Sequence, residues 1–291
     1  MRAIGVAAGL ATALLWGSWA VVSRLGVLGA LDPWDISVLR YLVSTAVLAP
    51  VLLRRGAISR RGVLGVPWRA VAALSLTGGP PYMLVVLTGL GMAPASRHAV
   101  FGSGMMPLLT LAFSALLLSE RPSAVRIAGT ALATAGVVLT VLHGLTASEA
   151  RLGFGEALFF LSAVLWAGYT VASRIWQVPA LPAVAILSLV GAVLLIPVYL
   201  SLVGPRFLAA PAVEILGQAV FQGLVTGLLA TFLYMRAIEI LGPARASLFV
   251  ALVPPIATVS AWPILGERPG LVTLAGVALV SLGMVVAVGR R

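Results

Sequence analysis

The chain has 291 residues, of which 61% are hydrophobic and 9% charged, where a water-soluble domain carries about 25% charged residues; its surface is excluded from being one that faces water. The net charge of +11 rests on 19 Arg, no Lys and 8 acids. These arginines are scattered between apolar runs, which argues against a nucleic-acid footprint and for a signal of membrane orientation. The absence of Cys, and a His count of two, His98 and His143, exclude disulfides and thiolate metal sites, so no cofactor or metal is expected.

Ten segments are long enough to cross a bilayer as helix: 3–23, 35–53, 70–91, 96–118, 124–142, 154–173, 180–202, 212–235, 244–265 and 270–289. They are called spans 1 to 10 below. Backbone groups in lipid must bond within their own segment, so all ten are predicted as helices, with no soluble domain between them. Arg2 precedes span 1 as in a signal peptide, but the apolar run is longer than a signal core and nine more follow; span 1 is predicted as a retained helix.

Charge sets the orientation. With the N-terminus in the cytoplasm, thirteen arginines fall on the cytoplasmic side and six outside. Arg54, Arg55, Arg60, Arg61 and Arg69 decide the matter because they share one short connection. Both termini are then predicted to be cytoplasmic, in a cytoplasmic (inner) membrane.

The sequence repeats itself. Residues 14–24 (LLWGSWAVVSR) match 164–174 (VLWAGYTVASR) at five of eleven positions, and residues 120–141 match 267–288 at eleven of twenty-two. Two halves follow, 1–145 and 152–291, of five spans each. Five is odd, so the second half enters the membrane upside down. The predicted fold is thus an all-α integral membrane protein, built as two inverted five-helix repeats.

Several residues stand out within the spans. Trp16 and Trp166 are repeat-equivalent aromatics, with Trp19 and Tyr169 three residues on along the same helix faces. They line a cavity for an apolar or aromatic solute, or they are interfacial and packing residues. In span 3, Gly78-Gly79-Pro80-Pro81-Tyr82 predicts a broken helix, because two prolines remove donors and two glycines permit bending. Its partner stretch in span 8 runs from Thr226-Gly227 to Tyr234 without proline. Gly102-Ser103-Gly104 precedes Pro107 in span 4, and Pro254-Pro255 fills the same place in span 9; both read first as packing. Gly129/Gly136 and Gly276/Gly283 are seven apart, so each pair faces one side of its helix and predicts a close helix seam.

Ionisable groups are scarce. Arg40, Arg97, His98, Glu156 and Glu214 sit near span ends on the outer side, and no acid lies mid-span as a proton carrier. Arg40 is expected to pair with Asp32 or Asp35, and Arg236 with Glu239. His98 and Glu156 are the candidates for proton coupling, against the plainer reading of solvated interface groups; uniport or exchange is equally open. The Glu-Arg-Pro triplets at 120–122 and 267–269 read as helix-start scaffold.

Taken together these motifs resemble the EamA-type branch of the drug/metabolite transporter superfamily. The resemblance is carried by Leu15-Trp16-Gly17-Ser18 and Leu165-Trp166-Ala167, by Arg40 in span 2, by Pro94-Ala95-Ser96, by Gly242-Pro243-Ala244-Arg245-Ala246-Ser247, and by Pro107 and Pro254, each thirteen residues before Glu-Arg-Pro. It spans the whole chain, and the sequence departs from the pattern at Arg97-His98. It implies a ten-helix secondary transporter for small metabolites, amino acids or drugs, with a central cavity among spans 1, 3, 4, 6, 8 and 9.

The expected function is alternating-access transport of a small amino-acid-like or amphipathic solute, with export favoured over import. The candidate cavity residues are Trp16, Trp19, Gly79, Pro80, Tyr82, His98, Ser103, Trp166, Tyr169 and Tyr234. The expected partners are the solute and the lipid bilayer, with no nucleic acid; a homodimer is compatible with the sequence. The competing readings are a membrane-embedded lipid-modifying enzyme, which needs clustered acids, His or metal, and a non-transporting structural subunit, which predicts a filled interior. The lack of Lys argues against an ATP-driven pump with a phosphate-binding loop.

Overall fold

A computed structural model of the chain describes residues 2–118, 123–146, 153–242, 246, 249–250, 252–266 and 268–289. Seven helices among them are long and apolar enough to cross a membrane: Arg2–Leu28, Pro33–Leu52, Trp68–Met92, Val100–Leu117, Phe154–Ile175, Ala180–Leu202 and Ala212–Leu241. They take up spans 1 to 4 and 6 to 8. Three shorter apolar helices fall on the other predicted spans: Ala124–Leu139 on span 5, Val253–Leu265 on span 9 and Leu271–Gly283 on span 10. Large apolar side chains point outward, among them Leu14, Leu116, Val193 and Leu271. That surface is stable only against lipid, so the chain is an all-α multi-pass membrane protein.

Helix ends differ from the sequence reading where polar groups cap them. Span 1 continues to Leu28, five residues past its predicted end. Span 2 opens on a capping box: Asp32 accepts from the Asp35 N–H, and Asp35 accepts from the Asp32 N–H. Among the described residues one short departure from all-helical structure exists. The arginine-rich connection folds as three two-residue antiparallel strands, β1 (Ile58–Ser59), β2 (Gly62–Val63) and β3 (Val66–Pro67). Gly62 makes this possible, since a Cβ there would lie 1.8 Å from the Val66 carbonyl oxygen.

Span 3 breaks as its sequence predicts. One helix ends at Gly78 and the next starts at Pro80, with Gly79 non-helical between them. A Cβ on Gly79 would come within 2.3 Å of the Ser75 carbonyl oxygen, and Pro80 has no N–H to lose at a helix start. Span 4 is also discontinuous, unlike the single helix predicted. It runs Ala95–His98, then a π-helical turn Ala99–Ser103, then Met106–Leu117. Pro107 cannot donate to the preceding turn, so the ladder restarts there. Span 8 carries a second π-helical stretch, Ala219–Ala230, which the sequence did not announce.

The spans pair in a regular pattern. Span 1 packs on spans 8 and 9, span 6 on spans 3 and 4, span 2 on spans 7 and 8, span 7 on spans 2 and 3, and span 5 on span 10. Exchanging spans 1–5 for spans 6–10 returns the same set of pairs. Small residues permit the close approaches. A Cβ on Gly136 would meet the Gly276 carbonyl oxygen at 2.6 Å, and one on Gly283 would meet the Gly129 carbonyl oxygen at 2.6 Å. The glycines spaced seven apart therefore form the predicted seam, backbone against backbone. Both Glu-Arg-Pro triplets were expected to start the helices of spans 5 and 10; residues 119–122 and Glu267 lie outside the described residues, as does the 147–152 connection between the halves.

Candidate functional site

Four aromatic rings meet at the centre of the bundle. Trp16 and Trp166 approach edge to face with centroids 5.3 Å apart. Tyr234 lies 4.8 Å from Trp16, and Tyr82 lies 4.8 Å from Trp166. The two Trp–Tyr pairs have the same separation and nearly the same tilt, 48° and 44°, so they are alike in geometry. Such offset and edge contacts favour a fixed ring geometry.

Beyond this layer the two-fold likeness ends. On one side a cavity opens beside Trp19, Arg40, Tyr82, His98, Ser103 and Trp166, closed by Trp16, Met83, Met106, Thr226, Val250 and Val253. Its volume is about 40 Å³, which is room for roughly three waters. On the other side Tyr169 fills the corresponding place. Its ring lies tilted against Trp166 with centroids 4.9 Å apart and presses on Gly78, where a Cβ would come within 2.6 Å of it.

Six of the ten sequence candidates line the cavity: Trp16, Trp19, Tyr82, His98, Ser103 and Trp166. The other four do not. Tyr234 belongs to the aromatic layer without lining the cavity, Tyr169 packs behind that layer against Trp166, and Gly79 and Pro80 form the bend before Tyr82. The lining draws on every span the family resemblance implies, and on span 2 as well through Arg40.

A buried polar chain holds spans 1 and 8 together at the cavity wall. The Trp19 Nε1–H donates to Gln222 Oε1 at 2.8 Å, and Gln222 Nε2 donates to Ser23 Oγ at 2.8 Å and to Gln218 Oε1 at 3.0 Å. Gln218 in turn donates to the Val22 carbonyl at 2.8 Å. Gln222 is fully buried, a position a Gln occupies stably only with its amide satisfied. The π-helical stretch places Thr226 beside it, and both groups receive Arg40. Nη1 of Arg40 donates to Thr226 Oγ1 at 3.1 Å and to the Gln222 carbonyl at 3.3 Å.

Arg40 thus does not pair with Asp32 or Asp35, contrary to expectation. Both aspartates are held in their capping box, and Asp35 also accepts from the Tyr199 hydroxyl. Arg97 instead takes Glu156, which accepts from the Gly153 N–H as well. Arg236 and Glu239 pair as predicted, at 2.5 Å. His98 stands between Trp19 and Phe159, with ring centroids 5.8 and 5.1 Å away, and neither of its nitrogens has a hydrogen-bond partner among the described residues. Gly102 makes room for it, since a Cβ there would lie 2.5 Å from the imidazole. Sequence reasoning missed Thr226 and Gln222 as site residues. No pattern marks them, because a single Thr or Gln in an apolar span carries no periodic signal.

Lipid-facing helices thus enclose a small aromatic and cationic cavity at the centre of a membrane protein. The chain belongs to the EamA-like transporter family, which it matches over residues 3–142 and again over 153–289. It is 27% identical over 281 residues to "Uncharacterized inner membrane transporter YedA" of Escherichia coli, covering 94% of this chain and 85% of that one. It is 25% identical over 282 residues to a "Probable terminal-alkyne amino-acid exporter" of Streptantibioticus cattleyicolor, covering 96% and 91%. A shorter match, 31% over 174 residues, is to "Aromatic amino acid exporter YddG" of Ancylobacter novellus, covering 57% and 56%. A solved crystal structure with 24% identity shares the fold over 97% of both chains at a TM-score of 0.69.

Proposed function

We propose that this protein is a secondary transporter that moves a small metabolite across the cytoplasmic membrane by alternating access, in the export direction. The halves 1–145 and 152–291 are the two repeats, inverted relative to one another, with both termini cytoplasmic. The observation that carries this reading is the cavity at the centre of the bundle, bounded by the repeat-equivalent Trp16 and Trp166. A site between two similar halves is reached from either side when one half rocks against the other.

The cavity lies toward the bundle end that carries Arg24, Arg97 and Glu156, which the arginine count places outside. Tyr169 and Tyr234 close the opposite side. With room for about three waters, this state admits a metabolite only after the walls part. The solute is amino-acid-like or amphipathic, in keeping with the aromatic lining and with the exporter names of two relatives. The test is flux in proteoliposomes across a metabolite panel, with Trp16→Ala as the variant. Trp16→Ala should slow uptake about 2- to 13-fold, since aromatic ring pairs contribute about 0.5–1.5 kcal/mol beyond their buried area. A folded protein that moves no member of a broad panel overturns the proposal.

A further inference from the structure

Among the described residues, Arg40 is a cation with no carboxylate partner. Five carboxylates are described, and all five are engaged elsewhere. Asp32 and Asp35 cap span 2, Glu156 holds Arg97 and the Gly153 N–H, Glu214 accepts from the Ala30 N–H, and Glu239 holds Arg236 and the Ala180 N–H. Arg40 itself spends only Nη1 on the protein, on a carbonyl and a hydroxyl. Its Nε and Nη2 donate to no described residue. These two N–H groups form the fork that matches a carboxylate in bidentate fashion.

The surroundings of Arg40 sort possible solutes by charge. Arg40 lines the main cavity, and also a second one of about 10 Å³ beside Tyr41, Ser44 and Ser188, which is room for one water. Arg40 therefore borders both spaces. Apart from Arg40, the titratable groups that line the main cavity are the His98 imidazole and the Tyr82 phenol, and no described acid lines it. A charge taken out of water needs a partner. The described lining supplies a full opposite charge for an anion, and for an ammonium only aromatic faces, which attract a cation more weakly.

We propose, building on the transporter reading, that the solute is a monoanionic organic acid. Its carboxylate or similar oxyanion pairs with Arg40, and its aromatic or apolar body rests against Trp19, Tyr82 and Trp166. Zwitterionic amino acids with the same side chain bind more weakly, because their ammonium group finds no opposite charge.

The experiment uses the purified full chain and four probes that share one ring: 3-phenylpropionate (anion), phenylalanine (zwitterion), 2-phenylethylamine (cation) and benzyl alcohol (neutral). Binding is read by quenching of intrinsic Trp fluorescence and by thermal shift. In the unaltered protein 3-phenylpropionate should bind most tightly, at least about tenfold above the other three, the scale of one charge-assisted bidentate pair. Arg40→Gln should remove that preference, and Arg40→Lys should retain part of it. Phenylalanine binding as tightly as 3-phenylpropionate overturns the single-charge assignment. An unchanged preference in Arg40→Gln overturns the role of Arg40. The probe series in the unaltered protein decides the charge preference even if a variant fails to fold. Flux of the same four probes in proteoliposomes separates the two levels. Movement of the amine or the alcohol, insensitive to Arg40→Gln, leaves a transporter but refutes the anion site; no movement of any of them or of the wider panel refutes both.

Discussion

At the residue scale, the acids and the amides divide the work. Every described carboxylate receives a helix N-terminal or loop N–H, pairs with an arginine, or both, so charge is spent on fixing the ends of spans. The interior is joined by neutral groups instead, with Gln222 as hub. Removing its amide would leave the buried Trp19 Nε1–H and Ser23 hydroxyl without this partner. Gln222→Leu should therefore lower stability by about 1–2 kcal/mol, the cost of a lost buried hydrogen-bonding partner, seen as a lower melting temperature of the detergent-purified protein. A melting point unchanged from the unaltered protein would show the hub to be dispensable. Trp19 was legible as a cavity residue because its repeat mate is Tyr169; Gln222 was not, since its partners come from spans 200 residues away in sequence.

At the element scale, the chain bends where its sequence carries Gly and Pro, and also where it does not. Gly79-Pro80 announces the break in span 3, because one residue tolerates the non-helical backbone and the other lacks a donor. Gly79→Ala should thus destabilise the protein and disturb the position of Tyr82, measured as reduced thermal stability together with altered Trp fluorescence. The π-helical stretch of span 8 has no such marker. Its wider turn is settled by the contacts that Thr226 and Gln222 make with span 2, which local sequence does not encode. The span 5–span 10 seam is the reverse case, written plainly in glycines seven apart. Gly136→Val forces a side chain into the backbone of span 10 and should cost about 1–3 kcal/mol as an overpacked contact, whereas Gly91→Ala, with open space around it, should leave the melting temperature nearly unchanged.

At the scale of the whole molecule, one arrangement of rings separates two unlike environments. Trp16–Tyr234 and Trp166–Tyr82 are matching pairs, yet one side of them is a cavity and the other is packed by Tyr169. Two similar halves in an unsymmetrical state are what rocking between two accessible states requires. The orientation behind this reading is checked directly, because the chain has no Cys. In intact cells, Leu208→Cys should react with a membrane-impermeant maleimide, and Arg60→Cys should react only after permeabilisation. The opposite labelling would invert the assigned topology and with it the direction in which the cavity faces.

The sequence by itself determined the class of the protein, because hydropathy, arginine placement and an internal repeat are local or additive properties that need no contacts to be read. It also marked the aromatic residues of the centre, since duplication labels them twice. Only the tertiary structure decided which of them face the cavity, that Arg40 turns to span 8 rather than to the nearby aspartates, and that no described carboxylate reaches it. Those outcomes depend on which partner each polar group finds in space, and a buried charge takes its meaning from the neighbours that remain when the described acids are already engaged.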